Sequence, residues 1–87
     1  MKNKMKAIFF WANWDREFYK KLNNFINEAK RHRIQYETID VETKDGVAAS
    51  IKYGVRNVPT IVILDDNKVH AVLKGNDAYK EIARYFK

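Results

Sequence analysis

The first clear pattern in the chain is an unbroken apolar run, Ala7-Ile8-Phe9-Phe10-Trp11-Ala12, which predicts a buried central strand over residues 6–12. The period then changes. Phe18, Leu22, Phe25, Ile26 and Ala29 fall at i, i+4, i+7, i+8 and i+11, one face of a helix over 14–32. Lys20, Lys21, Asn24, Glu28 and Arg31 occupy its other faces. Residues 34–41, rich in β-branched and aromatic side chains, predict a second strand. A second helix is expected over 43–53, capped by Thr43, with Val47, Ala48 and Ile51 facing inward. Gly46 weakens its first turn, and Gly54 closes it in a left-handed conformation. Residues 58–64 and 69–74 predict two more strands, joined by a hairpin turn at Asp65-Asp66-Asn67-Lys68. A last helix begins near Asp77 and carries Ala78, Ile82, Ala83 and Phe86 inward.

The order is thus β-α-β-α-β-β-α. Helical crossovers place strands parallel and a short turn pairs them antiparallel, so the expected class is α/β, a four-stranded mixed sheet with helices on both faces. Eighty-seven residues are expected to form a single domain, 1–87. Such a chain buries only about 60–65% of its unfolded surface and needs a well-packed core. With 46% hydrophobic residues, one proline and three glycines, the composition is that of a globular protein.

Cysteine changes the picture most, because there is none. Disulfides, thiolate nucleophiles, cysteine-ligated zinc and iron–sulfur clusters are all excluded. The basic start, Met1 to Lys6, leads into an apolar run shorter than the roughly 7–15 residues of a signal peptide. No stretch approaches the roughly 20 apolar residues of a membrane span, so a soluble cytoplasmic protein without membrane contact is expected. The net charge of +6 favours loose attraction to polyanions without fixing a function.

Two motifs carry a resemblance. Phe10-Trp11-Ala12-Asn13-Trp14 resembles the Phe-Trp-Ala-x-Trp of thioredoxins, and Tyr53-Gly54-Val55-Arg56-Asn57-Val58-Pro59-Thr60 resembles their Tyr-Gly-Val-Arg-x-Val/Ile-Pro-Thr. The motifs lie about forty residues apart, as in that family, and Leu73-Lys74-Gly75 is similar to the segment closing its substrate groove. The resemblance spans nearly the whole chain and implies the compact thioredoxin fold. It also implies a cis bond before Pro59 and a groove formed by Trp14, Asp15, Val58, Pro59 and Gly75.

The same resemblance places the family's nucleophilic cysteine at Asp15, its resolving cysteine at Phe18 and its buried acid at Phe9. A carboxylate cannot perform thiol–disulfide exchange, which needs an attacking and a resolving thiol. All three redox positions have changed together, so thiol chemistry is excluded. Serine or alanine are the ordinary replacements when cysteine is removed on purpose, and Asp15 and Phe18 are neither.

Asp15 stands where a helix amino terminus favours the anion, which suits a capping residue better than a general acid or base. Glu17, two residues on, does not face it. No catalytic residue is assigned, although an enzyme working through Asp15 or Glu17 is the weaker alternative. Phe18 reads as core, and Trp14 as an exposed aromatic suited to binding. His32 and His70 form no ligand cluster, so neither metal nor cofactor is expected. Lys20, Lys21, Lys30, Arg31 and Arg33 with Lys80, Arg84 and Lys87 make two basic helices. They suggest nucleic acid or an acidic protein as an alternative partner, with the interspersed Asp15, Glu17, Glu28 and Glu81 arguing for an ordinary solvated face. The reading that emerges is a redox-inactive module that binds a protein or peptide in the former substrate groove.

Overall fold

The computed structural model describes residues 4–86. Its elements run β1 (Met5–Trp11), α1 (Phe18–Arg31), β2 (Tyr36–Asp40), α2 (Lys44–Tyr53), β3 (Thr60–Asp65), β4 (Lys68–Lys74) and a terminal 3₁₀ helix (Ala78–Tyr85). The strands form one sheet in the order β2-β1-β3-β4. β1 lies parallel to β2 and antiparallel to β3, and β3 lies antiparallel to β4. This is the expected α/β fold with a four-stranded mixed sheet.

The unbroken apolar runs occupy the two central strands because both of their faces are covered. Ala7, Phe9, Ile61 and Ile63 face α1 and the 3₁₀ helix, where they pack with Phe25, Ala29, Ile34, Ala78 and Ile82. The Phe9 ring stacks on Phe25 with centroids 4.9 Å apart. Ile8, Phe10, Val62 and Leu64 face the other way, under Ile39, Val41, Ala49, Tyr53, Val55 and Val58. Full burial of a side chain such as Phe10 or Phe25 contributes roughly 1.5–3 kcal/mol.

The β3–β4 hairpin turns through Asp66 and Asn67, at φ 54° and 69°. Two consecutive left-handed residues give the strand twist that a two-residue hairpin requires. Gly54, at φ 70°, ends α2 as predicted.

The inward face of α2 is a correction. Val47, Ala48 and Ile51 point outward, and Ile51 is 78% exposed. Gly46, Ala49 and Tyr53 face the sheet instead. The cause is a close approach: a Cβ on Gly46 would lie 1.9 Å from the Asp40 carbonyl oxygen at the end of β2. Thr43 fixes the helix's rotation there, accepting the Gly46 N–H at 2.9 Å and donating to Asp40 O at 2.9 Å. Gly46 is therefore the contact residue of α2 rather than a weakness in its first turn.

Two boundaries also differ. The last helix is 3₁₀, with Lys80 N–H bonded to Asp77 O and Phe86 N–H to Ala83 O. Eight residues gain little from α-helical cooperativity, and packing against α1 sets which side chains turn inward. Ala78 and Ile82 are buried there, with Ala83 and Phe86 half-buried. Helix α1 begins at Phe18 rather than near 14, because the chain first makes two turns over 12–18.

Candidate functional site

Those two turns shape the first wall of the site. Asp15 N–H bonds to Ala12 O at 3.2 Å, and Phe18 N–H to Asp15 O at 3.0 Å. The Asp15 carboxylate accepts the Glu17 N–H at 3.0 Å through Oδ1 and Lys21 Nζ at 2.5 Å through Oδ2. Short polar side chains that bond their own backbone two residues on stabilise such turns. Lys21, followed by the Glu17 N–H, holds the Asp15 carboxyl below the ordinary carboxylate value. Asp15 is thus a fixed anion at the entry to α1, and its carboxylate is engaged with Lys21.

Phe18 fills the space behind it. Its ring stacks on Trp11 with centroids 4.9 Å apart and planes 7° apart, and against Tyr19 at 4.2 Å. Phe9 is 3% exposed within an apolar cluster. Asp15, Phe18 and Phe9 thus present a paired carboxylate and two packed rings. Trp11 Nε1 is buried without a hydrogen-bond partner among the described residues.

The opposite wall is the loop before β3. The Val58–Pro59 peptide bond is cis. Thr60, 1% exposed, donates its Oγ1 hydrogen to Asn57 O at 2.6 Å and so closes the loop around that bond. Gly75 N–H bonds to Pro59 O at 3.3 Å, which sets Gly75 beside the proline.

Between the walls lies a cavity of about 260 Å³ lined by Trp14, Val41, Ser50, Val55, Arg56, Asn57 and Val58. Trp14 stands at it 63% exposed. The structure therefore brings Trp14 and Val58 together. Pro59 is buried, Gly75 lies next to it, and neither is a wall of the cavity. Arg56, Asn57, Val41, Val55 and Ser50 are not singled out by the sequence as site residues. Arg56 and Asn57 lie inside the Tyr53–Thr60 motif, which is the available signal, whereas nothing local marks Ser50.

The basic helices, α1 and the 3₁₀ helix, pack side by side on one face of the sheet. Four of their bases meet an acid, while Lys20, Lys30 and Arg33 take part in no ion pair among the described residues. Lys21 pairs with Asp15, Arg31 with Glu28, Lys80 with Asp77 and Arg84 with Glu81. Lys87 lies outside the described residues. His32 Nε2 sits 3.0 Å from Glu28 Oε2, and His70 meets the edge of Tyr85. No helix among the described residues is long and apolar enough to cross a membrane.

Neither a protein-family model nor a curated protein matches the sequence. Solved structures do match. An X-ray structure of thioredoxin from Fasciola hepatica is similar at a TM-score of 0.82 and 24% identity, over 99% of this chain and 84% of that one. A Plasmodium falciparum thioredoxin is similar at 0.80 and 16%, over 99% and 85%. The germline-specific thioredoxin Deadhead from Drosophila melanogaster is similar at 0.77 and 23%, over 98% and 81%. At these identities the likeness is one of fold. The chain thus has the thioredoxin fold, and with no cysteine anywhere in its sequence it lacks a Cys-x-x-Cys motif.

Proposed function

We propose that the chain, acting as one domain in the cytoplasm, is a redox-inactive thioredoxin-like protein that binds a protein or peptide non-covalently in the former substrate groove. The observation that carries this reading is Trp14, left 63% exposed on an open cavity that it shares with Val58. A rigid, exposed tryptophan offers wide contact area at low entropic cost, and such residues dominate many interfaces. Val58, ahead of Pro59, offers backbone groups to an extended segment, with Gly75 beside it and Asp15 at the entry to α1. Binding there needs no thiol.

The rival readings find less support. Asp15 is tied to Lys21 and held ionised, which unfits it for proton transfer near neutral pH. Most bases on α1 and the 3₁₀ helix already face an acid, which weakens the case for a polyanion surface.

The experiment is selection from a displayed peptide library, followed by NMR titration of the selected peptide. Shifts should cluster at Trp14, Val58, Pro59 and Gly75, and Trp14→Ala should weaken binding by about 30-fold. Shifts lying wholly elsewhere would refute the groove. Steep loss of binding with salt that is indifferent to Trp14→Ala would indicate a polyanion binder instead.

A further inference from the structure

The cavity beside Trp14 has walls of unequal chemistry. Val41, Val55 and Val58 are half-buried apolar side chains, Trp14 is an aromatic wall, and Arg56 and Asn57 are exposed polar ones. Among the described residues, no Asp or Glu lines it. Arg56 takes part in no ion pair among the described residues. Three carboxylates adjoin wall residues in sequence: Asp15, held by the Glu17 N–H and Lys21, Asp40, whose Oδ1 accepts the Glu42 N–H, and the exposed Glu42, and none of them lines the cavity.

Ser50 adds a second, independent observation. Its Oγ is buried and has no hydrogen-bond partner among the described residues. A helical serine ordinarily satisfies its hydroxyl on the carbonyl four residues back. Buried polar groups that lack a partner are uncommon in folded proteins. Here the unsatisfied hydroxyl belongs to a residue lining a cavity whose one charged wall residue, among the described residues, is an unpaired arginine.

From these observations we propose that the cavity is a carboxylate-recognising subsite of the groove. Arg56 supplies charge and a two-pronged donor matched to a carboxylate, and the Ser50 hydroxyl, shielded in the empty cavity, becomes a donor by rotating about χ1 toward the ligand. Trp14 and the valines hold the apolar neighbour of the acidic group. The volume of about 260 Å³ falls below the roughly 300–1,000 Å³ of sites for larger ligands, so one acidic residue with its neighbour fits where a nucleotide cofactor does not. The carboxylate comes from an Asp or Glu side chain or from a chain terminus. This inference rests on the groove reading above.

Three tripeptides test it by NMR titration: N-acetyl-Phe-Glu-Phe-amide, N-acetyl-Phe-Gln-Phe-amide and N-acetyl-Phe-Gln-Phe with a free carboxyl end. At least one acidic peptide should bind roughly five- to tenfold tighter than the neutral one, with shifts at Trp14, Ser50 and Asn57. The tighter of the two acidic peptides identifies the source of the carboxylate. Arg56→Gln should erase the difference, and Ser50→Ala should reduce it, with unaltered circular dichroism in both variants. Equal binding of all three peptides at Trp14 and Val58 would overturn the subsite and leave the groove reading standing. An acidic preference that survives Arg56→Gln would overturn it too. Absence of shifts at the cavity with every peptide would reject the subsite, and the groove would then stand or fall by the library selection.

Discussion

Replacing Gly46 by alanine sets two effects of opposite sign against each other. Helix propensity favours alanine over glycine by about 0.8–1 kcal/mol in a helix interior. Gly46 has no left-handed φ, so conformational strain is not at issue. Space is. The new Cβ would lie 1.9 Å from Asp40 O, and 2.8 Å from both the Asp40 carbonyl carbon and Thr43 Oγ1. Ordinary contacts begin near about 3.5 Å, so backbone must retreat by more than about 1 Å. That carbonyl accepts from the Thr43 N–H at 3.2 Å and from Thr43 Oγ1 at 2.9 Å, and Thr43 Oγ1 in turn caps the Gly46 N–H. Loss of the cap costs about 1 kcal/mol, and each further hydrogen bond about 0.5–1.5 kcal/mol. After the propensity gain, a net loss of about 1–3 kcal/mol is expected. For a domain of this size that lowers Tm by roughly 5–20 °C, measurable by thermal and urea unfolding. Ala48→Gly, at an exposed position of the same helix, is the control and should cost about 1 kcal/mol by propensity alone. A Gly46→Ala protein as stable as the parent, or more so, would refute the close-approach account.

Phe18→Ala removes a half-buried ring from its stack between Trp11 and Tyr19 and should cost about 2–3 kcal/mol in urea unfolding, with a shift in tryptophan emission. A loss under about 0.5 kcal/mol would mean the stack contributes little. Ile51→Lys should leave stability within about 0.5 kcal/mol, because the side chain is already 78% exposed; a loss of about 2 kcal/mol or more would return it to the core. Asp15→Asn tests the paired carboxylate. A folded pKa below the unfolded one contributes stability that is present above the unfolded value and lost as pH falls through the folded value. The variant should therefore be less stable at neutral pH, by no more than about 1 kcal/mol, and equal to the parent once pH lies below both values. An equal deficit at all pH values would contradict this.

The elements were legible where one period held over a long span. The uninterrupted apolar runs of β1 and β3 specify strands covered on both faces, and the Phe18 stripe specifies the buried side of α1. Thr43 and Gly54 marked both ends of α2 correctly. Its rotation was not legible, because a contact with the Asp40 carbonyl sets it, and hydrophobicity at Val47 and Ile51 pointed the wrong way. At the site, Trp14 and Val58 were readable because they belong to motifs. Ser50 was not, since only tertiary packing leaves its hydroxyl buried and unsatisfied. The partnership of Asp15 with Lys21, six residues on, likewise depends on how the turns over 12–18 deliver the chain into α1.

β4 closes one side of the sheet with only β3 as its neighbour, and its outward-facing main chain invites a further strand. Lysines stand at both of its ends. If two copies paired antiparallel about Ala71, Lys68 of each would meet Lys74 of the other. Parallel pairing in register would set each lysine against its own counterpart. Either arrangement brings like charges together, and the penalty acts before any stable contact forms. Lys68 and Lys74 thus act as charged gatekeepers flanking Val69, Val72 and Leu73, and oppose the edge-to-edge pairing from which strand aggregation starts.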